Sequence, residues 1–277
     1  MTDTFERSCA HWSETGRREM EDFYALASVD YRHLAEALDW VDWLRARQAR
    51  AGQRPLRLLD VACGSGKFPS ALQGYAGVSP SSVAPIDYAL LDPSAFSIAE
   101  ARSTLSPPFV AGAEYETTLQ ALECPRHHFD VAWATHALYA LPTEQLEAGL
   151  QRLLDAVGDT ACIAHAASDS HYLRFYRAYL DAFHDGGGTP YVSAEQIVAA
   201  LERLGARPRV HEIHYTNGAP EAQAAQVQGY LQRCLFDDTL DLPQMLAHPL
   251  TGAYLETCRQ GGEWRFAQHV LLIFCET

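Results

Sequence analysis

The chain has 277 residues, of which 48% are hydrophobic and 20% are charged, a composition typical of a globular protein with one sizeable core. Disordered and fibrous proteins are thereby excluded. The 35 acidic side chains outnumber the 21 lysines and arginines and leave a formal charge of −14, which repels phosphate backbones and argues against a nucleic-acid partner.

The cysteine pattern and the N-terminal sequence indicate in which cellular compartment the protein is expected. The seven cysteines are scattered and form no C-x-x-C pair, which predicts reduced, buried thiols. The N-terminal residues lack a basic start followed by an apolar stretch, and the longest strongly apolar run covers only 270–275, so no signal peptide or membrane span is predicted. We therefore expect a soluble, cytoplasmic protein that does not contact membranes.

The N-terminal half alternates helical and strand patterns. Apolar residues at helical spacing predict two helices within 5–50, with a break near Asp30. Three further helices are predicted: one directly after the glycine-containing turn at 64–66, one at 95–105 and one at 143–157. Strands are predicted at 56–61, 86–91, 129–135 and 160–164. This alternation indicates βαβ units and a parallel sheet flanked by helices.

The C-terminal part ends on two strands separated by an insertion. Ser193 and Gln196 match a capping box, which predicts a helix ending at Gly205. Strands follow at 208–215 and 268–276, and the roughly 50 residues between them, with helices at 219–235 and 250–260, exceed what neighbouring strands require. We interpret this insertion as a cap over a pocket; a decoration that serves only packing or dimerisation is the alternative. We thus predict four segments. They are an N-terminal helical segment (1–50), an α/β core (51–216), the helical cap insertion (217–266) and the last strand of the core sheet (267–277).

The strongest local motif is LLDVACGSGKF at 58–68, an apolar strand that ends in an acid and leads through two glycines into a helix. Such a turn brings bare backbone close to a ligand at the carboxyl ends of parallel strands. A phosphate-binding P-loop would need glycine in place of Val61 and serine or threonine in place of Phe68. A dinucleotide fingerprint would need a third glycine in place of Pro69. Neither phosphate-binding pattern is therefore present.

The remaining pattern, D-x-A-x-G-x-G at 60–66, resembles the first motif of class I S-adenosylmethionine-dependent methyltransferases. Asp92, 28 residues after Gly64, falls where that family holds the two ribose hydroxyls, and FDVAWATHALY at 129–139 resembles its fourth strand. The resemblance implies an α/β, Rossmann-like class I methyltransferase fold. It has a mostly parallel seven-stranded sheet with helices on both faces, N-terminal helices and a helical cap insertion before the last strand.

The resemblance also implies the cofactor, S-adenosyl-L-methionine, and its product, S-adenosyl-L-homocysteine. The cofactor-binding residues that it implies are Asp60, Ala62, Gly64, Gly66, Asp92, Pro93, Ser97 and Thr135. The alternative is a doubly wound sheet in which the glycine turn is merely tight and Asp92 merely caps a helix.

Within that class the chain resembles the histamine N-methyltransferase family. The pieces that carry this resemblance are LDPSA at 91–95, ALYAL at 137–141, GYLQRC at 229–234 and the final strand. Glu14 falls where that family has an acid that contacts the amine, whereas His136 replaces a glutamine and Gln268 replaces an asparagine. The resemblance thus implies a polar or cationic small-molecule acceptor other than histamine.

The expected chemistry is displacement of a methyl group by a lone pair of an acceptor held in near-attack geometry. His136 is predicted as a base or hydrogen-bond acceptor, and Glu14 is predicted to orient a cation. Aromatic side chains are expected to wall the acceptor pocket through cation–π contacts, namely those of Tyr139, Phe175, Tyr176 and Tyr179. Methylation of oxygen or carbon, or a lyase, cyclase or binding protein that retains the cofactor, are the alternatives.

No metal site is predicted from the sequence. His211 and His214 are three residues apart on a predicted strand, so they face opposite sides of it and are not expected to share an ion. The sequence does not determine the oligomeric state.

Overall fold

The structure, a computed structural model, describes residues 4–11 and 28–277. Helix α1 spans Thr4–His11, residues 28–36 form helix α2, and α3 spans Trp40–Ala51. Asp30 lies inside α2, so the predicted break near this residue is wrong. The chain instead turns at 37–39, where the Asp39 side chain accepts a hydrogen bond (2.9 Å) from the backbone N–H of Asp42 and caps α3.

A single mixed sheet forms the centre of the molecule. Its strands are β1 Leu56–Val61, β2 Ile86–Asp92, β3 Phe109–Glu116, β4 Phe129–Thr135, β5 Val157–Ala166, β6 Arg209–Pro220, β7 Arg259–Gln260 and β8 Glu263–Glu276. The main path has the order β3-β2-β1-β4-β5-β8-β6, with the first five strands parallel and β8 antiparallel to both neighbours. This confirms the predicted α/β fold with a mostly parallel seven-stranded path, to which the two-residue β7 adds a short pair with β8.

Helices cover both faces of this sheet. They are α4 Lys67–Tyr75, α5 Ala95–Thr104, α6 Leu146–Ala156, α7 His171–Phe183, α8 Ala194–Arg203, α9 Ala224–Leu235, α10 Leu242–Ala247 and α11 Pro249–Thr257. One apolar core joins the sheet to α2, α3, α4 and α5, and a second core joins its other face to α6 and α8. A third core packs α7 against α9, α10 and α11. The capping box at Ser193 and Gln196 is present at the start of α8.

The last two long strands extend farther than predicted. β6 continues to Pro220 and β8 already begins at Glu263, so residues 216–220 and 263–267, expected in part in the insertion, are paired strand. The helical insertion is accordingly 221–262. These strand ends alternate buried and exposed residues, a weaker signal than the continuous apolar run farther along β8.

Strand β3 has no counterpart in the sequence prediction. It is an edge strand on which six of its eight residues are exposed, so it lacks the apolar run by which buried parallel strands are recognised. In the described parts of the chain, no helix is long and apolar enough to cross a membrane.

Candidate active site

The glycine motif forms a tight turn between β1 and α4. Ala62, Gly64 and Gly66 have φ angles of 50°, 51° and 68°, in the left-handed region that glycine adopts without steric cost. The backbone N–H of Cys63 donates to the carbonyl of Leu91 (3.1 Å), and that of Gly66 donates to the carbonyl of Cys63 (3.0 Å). The turn is thereby fixed against the end of β2.

Asp92, the last residue of β2, holds the same turn through its side chain. Its carboxylate accepts hydrogen bonds from the backbone N–H groups of Gly64 (3.2 Å) and Ser94 (2.9 Å). Burial raises the pKa of Asp92 to about 6, although these two bonds oppose the shift. The predicted acid and the predicted glycine turn are therefore in direct contact.

A second buried carboxylate lies at the end of β1. Asp60 accepts a hydrogen bond from the Tyr88 hydroxyl (2.6 Å), which in turn accepts one from the indole N–H of Trp133 (3.0 Å). Burial raises the pKa of Asp60 to about 7, and the charge of Asp92 adds to the increase. Because ionising both carboxylates is costly here, this end of the sheet favours a cationic ligand.

A cleft of about 1050 Å³ runs along the turn and both carboxylates. Six of the predicted cofactor-binding residues line it: Asp60, Ala62, Gly64, Asp92, Pro93 and Thr135. Gly66 and Ser97 are not among its lining residues. Gly66 is the N-cap of α4, and the backbone N–H of Ser97 donates to the side chain of Ser94 (3.2 Å), which lines the cleft in its place.

A second cavity of about 650 Å³ adjoins the cleft. The two share Ser8, Tyr31, His136, Ala137 and Ala140. The rest of the second cavity is lined by Asp30, Tyr139, Tyr172, Tyr191, Arg233, Cys234 and Phe236. A ligand in one cavity can therefore approach a ligand in the other at the shared residues.

His136 lies at this junction, directly after β4. Its φ angle is 54°, and its backbone N–H donates to the carbonyl of Ala164 (2.9 Å). The ring Nδ1 is 2.7 Å from the Tyr139 hydroxyl, which also accepts a hydrogen bond from the backbone N–H of Ala166 (3.3 Å). Burial lowers the pKa of His136 to about 4, so the ring is neutral near pH 7.

The hydrogen-bond network assigns the tautomer of this ring. The Tyr139 hydroxyl has one proton to donate, and Nδ1 of His136 is the acceptor that the described residues offer it. Nδ1 then carries the lone pair and Nε2 carries the proton. Nε2 is buried and makes no hydrogen bond within the described part of the chain. His136 therefore presents a neutral N–H donor.

Asp30 places a carboxylate in the second cavity. It accepts hydrogen bonds from the Tyr172 hydroxyl (2.5 Å) and from the side-chain amide of Asn217 (2.9 Å), and only 2% of it is exposed. Burial raises the pKa of Asp30 to about 6, against the opposing effect of these bonds. The group is thus mostly ionised at neutral pH and can attract a cation.

The family follows from a comparison with known domains. The profile of a methyltransferase domain family matches residues 31–209, which are more than half of the chain and include every lining residue of the cleft except Ser8. The chain belongs to this family. It is a class I S-adenosylmethionine-dependent methyltransferase, as the glycine turn and Asp92 predicted. No curated protein matches the sequence significantly, so the resemblance to histamine N-methyltransferase stays a prediction.

Solved structures share the fold of this methyltransferase at low sequence identity. Magnesium protoporphyrin IX methyltransferase from Synechocystis PCC 6803, crystallised with S-adenosylhomocysteine, is 13% identical, with 99% of this chain and 100% of that chain covered and a TM-score of 0.57. Its complex with S-adenosylmethionine gives a TM-score of 0.51 at 12% identity and 98% coverage of both chains. A methyltransferase-like protein from Bacillus halodurans C-125 is 13% identical over 84% of this chain and 97% of that chain, with a TM-score of 0.54.

The cleft of the methyltransferase fits S-adenosylmethionine, the cofactor of its family. Each Asp92 oxygen accepts one hydrogen bond from the backbone, so each keeps a lone pair for a hydroxyl donor. Gly64 offers backbone without a side chain along the cleft, and Pro93, Leu119 and Leu138 provide apolar surface for a purine. The buried carboxylates of Asp60 and Asp92 favour a positively charged group.

The predicted acceptor-binding residues separate into two groups. His136 and Tyr139 line the second cavity, whereas Phe175, Tyr176 and Tyr179 are buried in the third core and line neither cavity. This corrects the expected aromatic wall, because Phe175 packs against Tyr254 of α11 and the hydroxyls of Tyr176 and Tyr179 accept hydrogen bonds from Arg7 of α1. Tyr176, for example, stacks on Tyr191 with ring centroids 3.6 Å apart.

Gln268 and Glu14 are also not among the lining residues. The Gln268 amide is buried, accepts a hydrogen bond from the Ser170 hydroxyl (2.5 Å) and donates one to the Tyr230 hydroxyl (3.2 Å), so it supports β8 instead of lining a cavity. Glu14 lies outside the described residues.

Of the residues that line the second cavity, the sequence predicts only His136 and Tyr139 as site residues. Asp30 was interpreted as a helix break, and Tyr31 beside it was not singled out. Arg233 and Cys234 lie in GYLQRC at 229–234, a segment singled out for its resemblance but not for these side chains. The signal that points to Asp30 is an acidic residue within an apolar helical pattern. Such an acid is buried on folding, and a buried acid needs hydrogen-bond partners and occurs mainly at functional sites.

Proposed function

We propose that this methyltransferase N-methylates a small acceptor whose nitrogen is weakly basic, of the imidazole or aromatic amine type. The observation that carries the proposal is the buried Asp30 carboxylate in an aromatic cavity that joins the cofactor cleft at His136. When bound, S-adenosylmethionine supplies an electrophilic methyl group on a sulfonium. The acceptor nitrogen must then present a lone pair to that group.

The proton-accepting groups of the cavity favour a weakly basic nitrogen. Asp30 has a pKa of about 6 and His136 one of about 4. An alkylammonium with a pKa of roughly 10 would lose its proton to Asp30 only at a cost of about 5 kcal/mol, whereas an imidazolium near 6.5 would lose it at almost none. Asp30 is therefore the better proton acceptor for such a ligand.

His136 takes a different role in this proposal from that of the predicted base. With its proton on Nε2 and a pKa of about 4, the ring is a weak base and rarely binds a second proton near pH 7. We assign it as the hydrogen-bond donor that orients a polar atom of the acceptor at the mouth of the cofactor cleft. Tyr31, Tyr172 and Tyr191 provide the aromatic surface expected for a flat or cationic ligand. Glu14 stays a candidate for a further cation contact.

The test is methyl transfer from labelled S-adenosylmethionine to a panel of imidazoles, aromatic amines, alkylamines, phenols and carboxylates, read by mass spectrometry. We expect label on nitrogen of an imidazole or aromatic amine. Asp30→Asn should lower kcat/KM for that acceptor by about tenfold or more, the scale of a lost hydrogen bond to a charged group. Cofactor affinity should stay near that of the wild type.

Asp42→Asn, an exposed change in the same N-terminal region, is the matched control and should leave both quantities unchanged. Label found only on oxygen or carbon would replace the proposal with O- or C-methylation. Tight cofactor binding with no label in any acceptor would favour a lyase, cyclase or binding protein.

A further inference from the structure

Three side chains of metal-ligand type, none of which lines either cavity, converge on one face of the β6–β8 ribbon. Glu212 and His214 are two residues apart on β6 and therefore point to the same face. His269 of β8 is the direct cross-strand partner of His214. Their ligand atoms, one from each side chain, lie within 4.8 Å of one another.

The spacing of these atoms suits an ion better than a hydrogen bond. Oε2 of Glu212 is 3.8 Å from Nε2 of His214 and 3.7 Å from Nε2 of His269, too far for hydrogen bonds. Two ligands held at about 2.05 Å by a tetrahedral ion are roughly 3.3 Å apart. The two separations from Glu212 exceed this value by about 0.4 Å.

His269 is already oriented as a metal ligand. Its Nδ1 is 2.8 Å from a carboxylate oxygen of Asp169 and donates its proton there, which leaves the lone pair on Nε2. Nε2 is shielded from solvent and makes no hydrogen bond within the described part of the chain. A carboxylate behind a histidine is the usual outer partner of a metal-bound imidazole, because it sets the tautomer and the ring orientation.

We propose that Glu212, His214 and His269 bind a divalent transition-metal ion of the Zn²⁺ class. Two imidazoles with one carboxylate are a ligand set that Zn²⁺ uses, whereas Ca²⁺ and Mg²⁺ prefer oxygen ligands. The carboxylates of Glu212 and Asp169 offset the charge of the ion. A water molecule completes the four-coordinate site at this exposed surface.

His214 must turn to coordinate. Its ring stacks on that of His269, with centroids 4.1 Å apart and planes inclined by 23°, and stacked imidazoles cannot both point their lone pairs at one ion. The His214 side chain is 64% exposed, so it can rotate out of the stack. His269 and Asp169 would keep their positions and form the fixed part of the site.

The test uses the full chain after treatment with a chelator, titrated with ZnCl₂ by calorimetry and with Co²⁺ by visible absorption. We expect one equivalent to bind and the thermal midpoint to rise with free Zn²⁺. His214→Ala and Glu212→Gln remove ligands at exposed positions and should each weaken binding by more than the roughly 10- to 100-fold that loss of an outer partner typically causes. Asp169→Asn tests the positioning role and should cause a smaller loss.

His211→Ala is the matched control, because this exposed histidine lies on the same strand but on the opposite face. It should bind Zn²⁺ like the wild type. The proposal is overturned if the wild type binds no Zn²⁺ at micromolar concentrations, if His214→Ala binds as tightly as the wild type, or if His211→Ala loses as much affinity. None of these residues lines the methyl-transfer cavities, so the outcome is independent of the proposed N-methylation.

Discussion

The Tyr139 hydroxyl and Nδ1 of His136 are 2.7 Å apart, and this bond assigns the proton of the neutral ring to Nε2. Because the same hydroxyl accepts a hydrogen bond from the backbone N–H of Ala166, it donates its own proton to Nδ1 of His136. The pair thus converts a residue that the sequence suggests as a base into a neutral donor at the junction of the two cavities.

Tyr139→Phe tests this relationship. Loss of the hydroxyl frees Nδ1 and removes the preference for the Nε2 proton, so we expect turnover to fall by about 3- to 10-fold, the scale of one hydrogen bond. Cofactor affinity should not change. Tyr115→Phe, on the edge strand and not among the lining residues of either cavity, is the control. Equal turnover in wild type and Tyr139→Phe would show that the tautomer of His136 does not matter.

Asp92→Asn should weaken binding of S-adenosylhomocysteine. The variant keeps the shape of the side chain but loses the charge that strengthens hydrogen bonds to hydroxyl donors, so we expect a loss of about 1.5–3 kcal/mol by calorimetry. Asp87→Asn, an exposed change on the same strand, should leave the affinity unaltered. Unchanged affinity in Asp92→Asn would remove this carboxylate from the cofactor site.

Cofactor binding should release protons near pH 6 to 6.5. Asp60 and Asp92 have pKa values of about 7 and about 6, so both are partly protonated there. A cation in the cleft favours their ionised forms and lowers both pKa values. Calorimetry in buffers of different ionisation enthalpy should detect greater proton release with S-adenosylmethionine than with S-adenosylhomocysteine, which lacks the sulfonium charge. Equal release by both ligands would contradict this explanation.

Asp60→Asn should stabilise the protein without cofactor, more at pH 8 than at pH 5. The native pKa of about 7 exceeds the unfolded value of about 3.9, so the folded state binds the extra proton. Stability therefore falls as pH rises from about 4 to about 7, and the asparagine variant escapes this loss. We expect its advantage in chemical unfolding to grow by about 1–3 kcal/mol between the two pH values. Asp87→Asn, an exposed change on the neighbouring strand β2, is the matched control.

Two kinds of residue differ in how well the sequence predicted them. The sequence places Asp60, Gly64 and Asp92 at or just after the ends of β1 and β2, and all three line the cleft, because parallel strands bring their carboxyl ends to one edge. The aromatic residues of α7 were misplaced. Helical spacing shows that one face of α7 is apolar, but it does not show which neighbour that face contacts.

The sequence by itself determined the βαβ units other than the one that ends in edge strand β3, together with the glycine turn and the cofactor class, since these depend on residues close together in the chain. Only the tertiary structure decided the second cavity and the β6–β8 cluster. The cavity brings Asp30 together with Tyr139 and Arg233 across some 200 residues, and the cluster depends on a cross-strand register that places His269 opposite His214. Burial also decided the chemistry, because the pKa values of Asp30, Asp60 and His136 depend on solvent that the folded chain excludes.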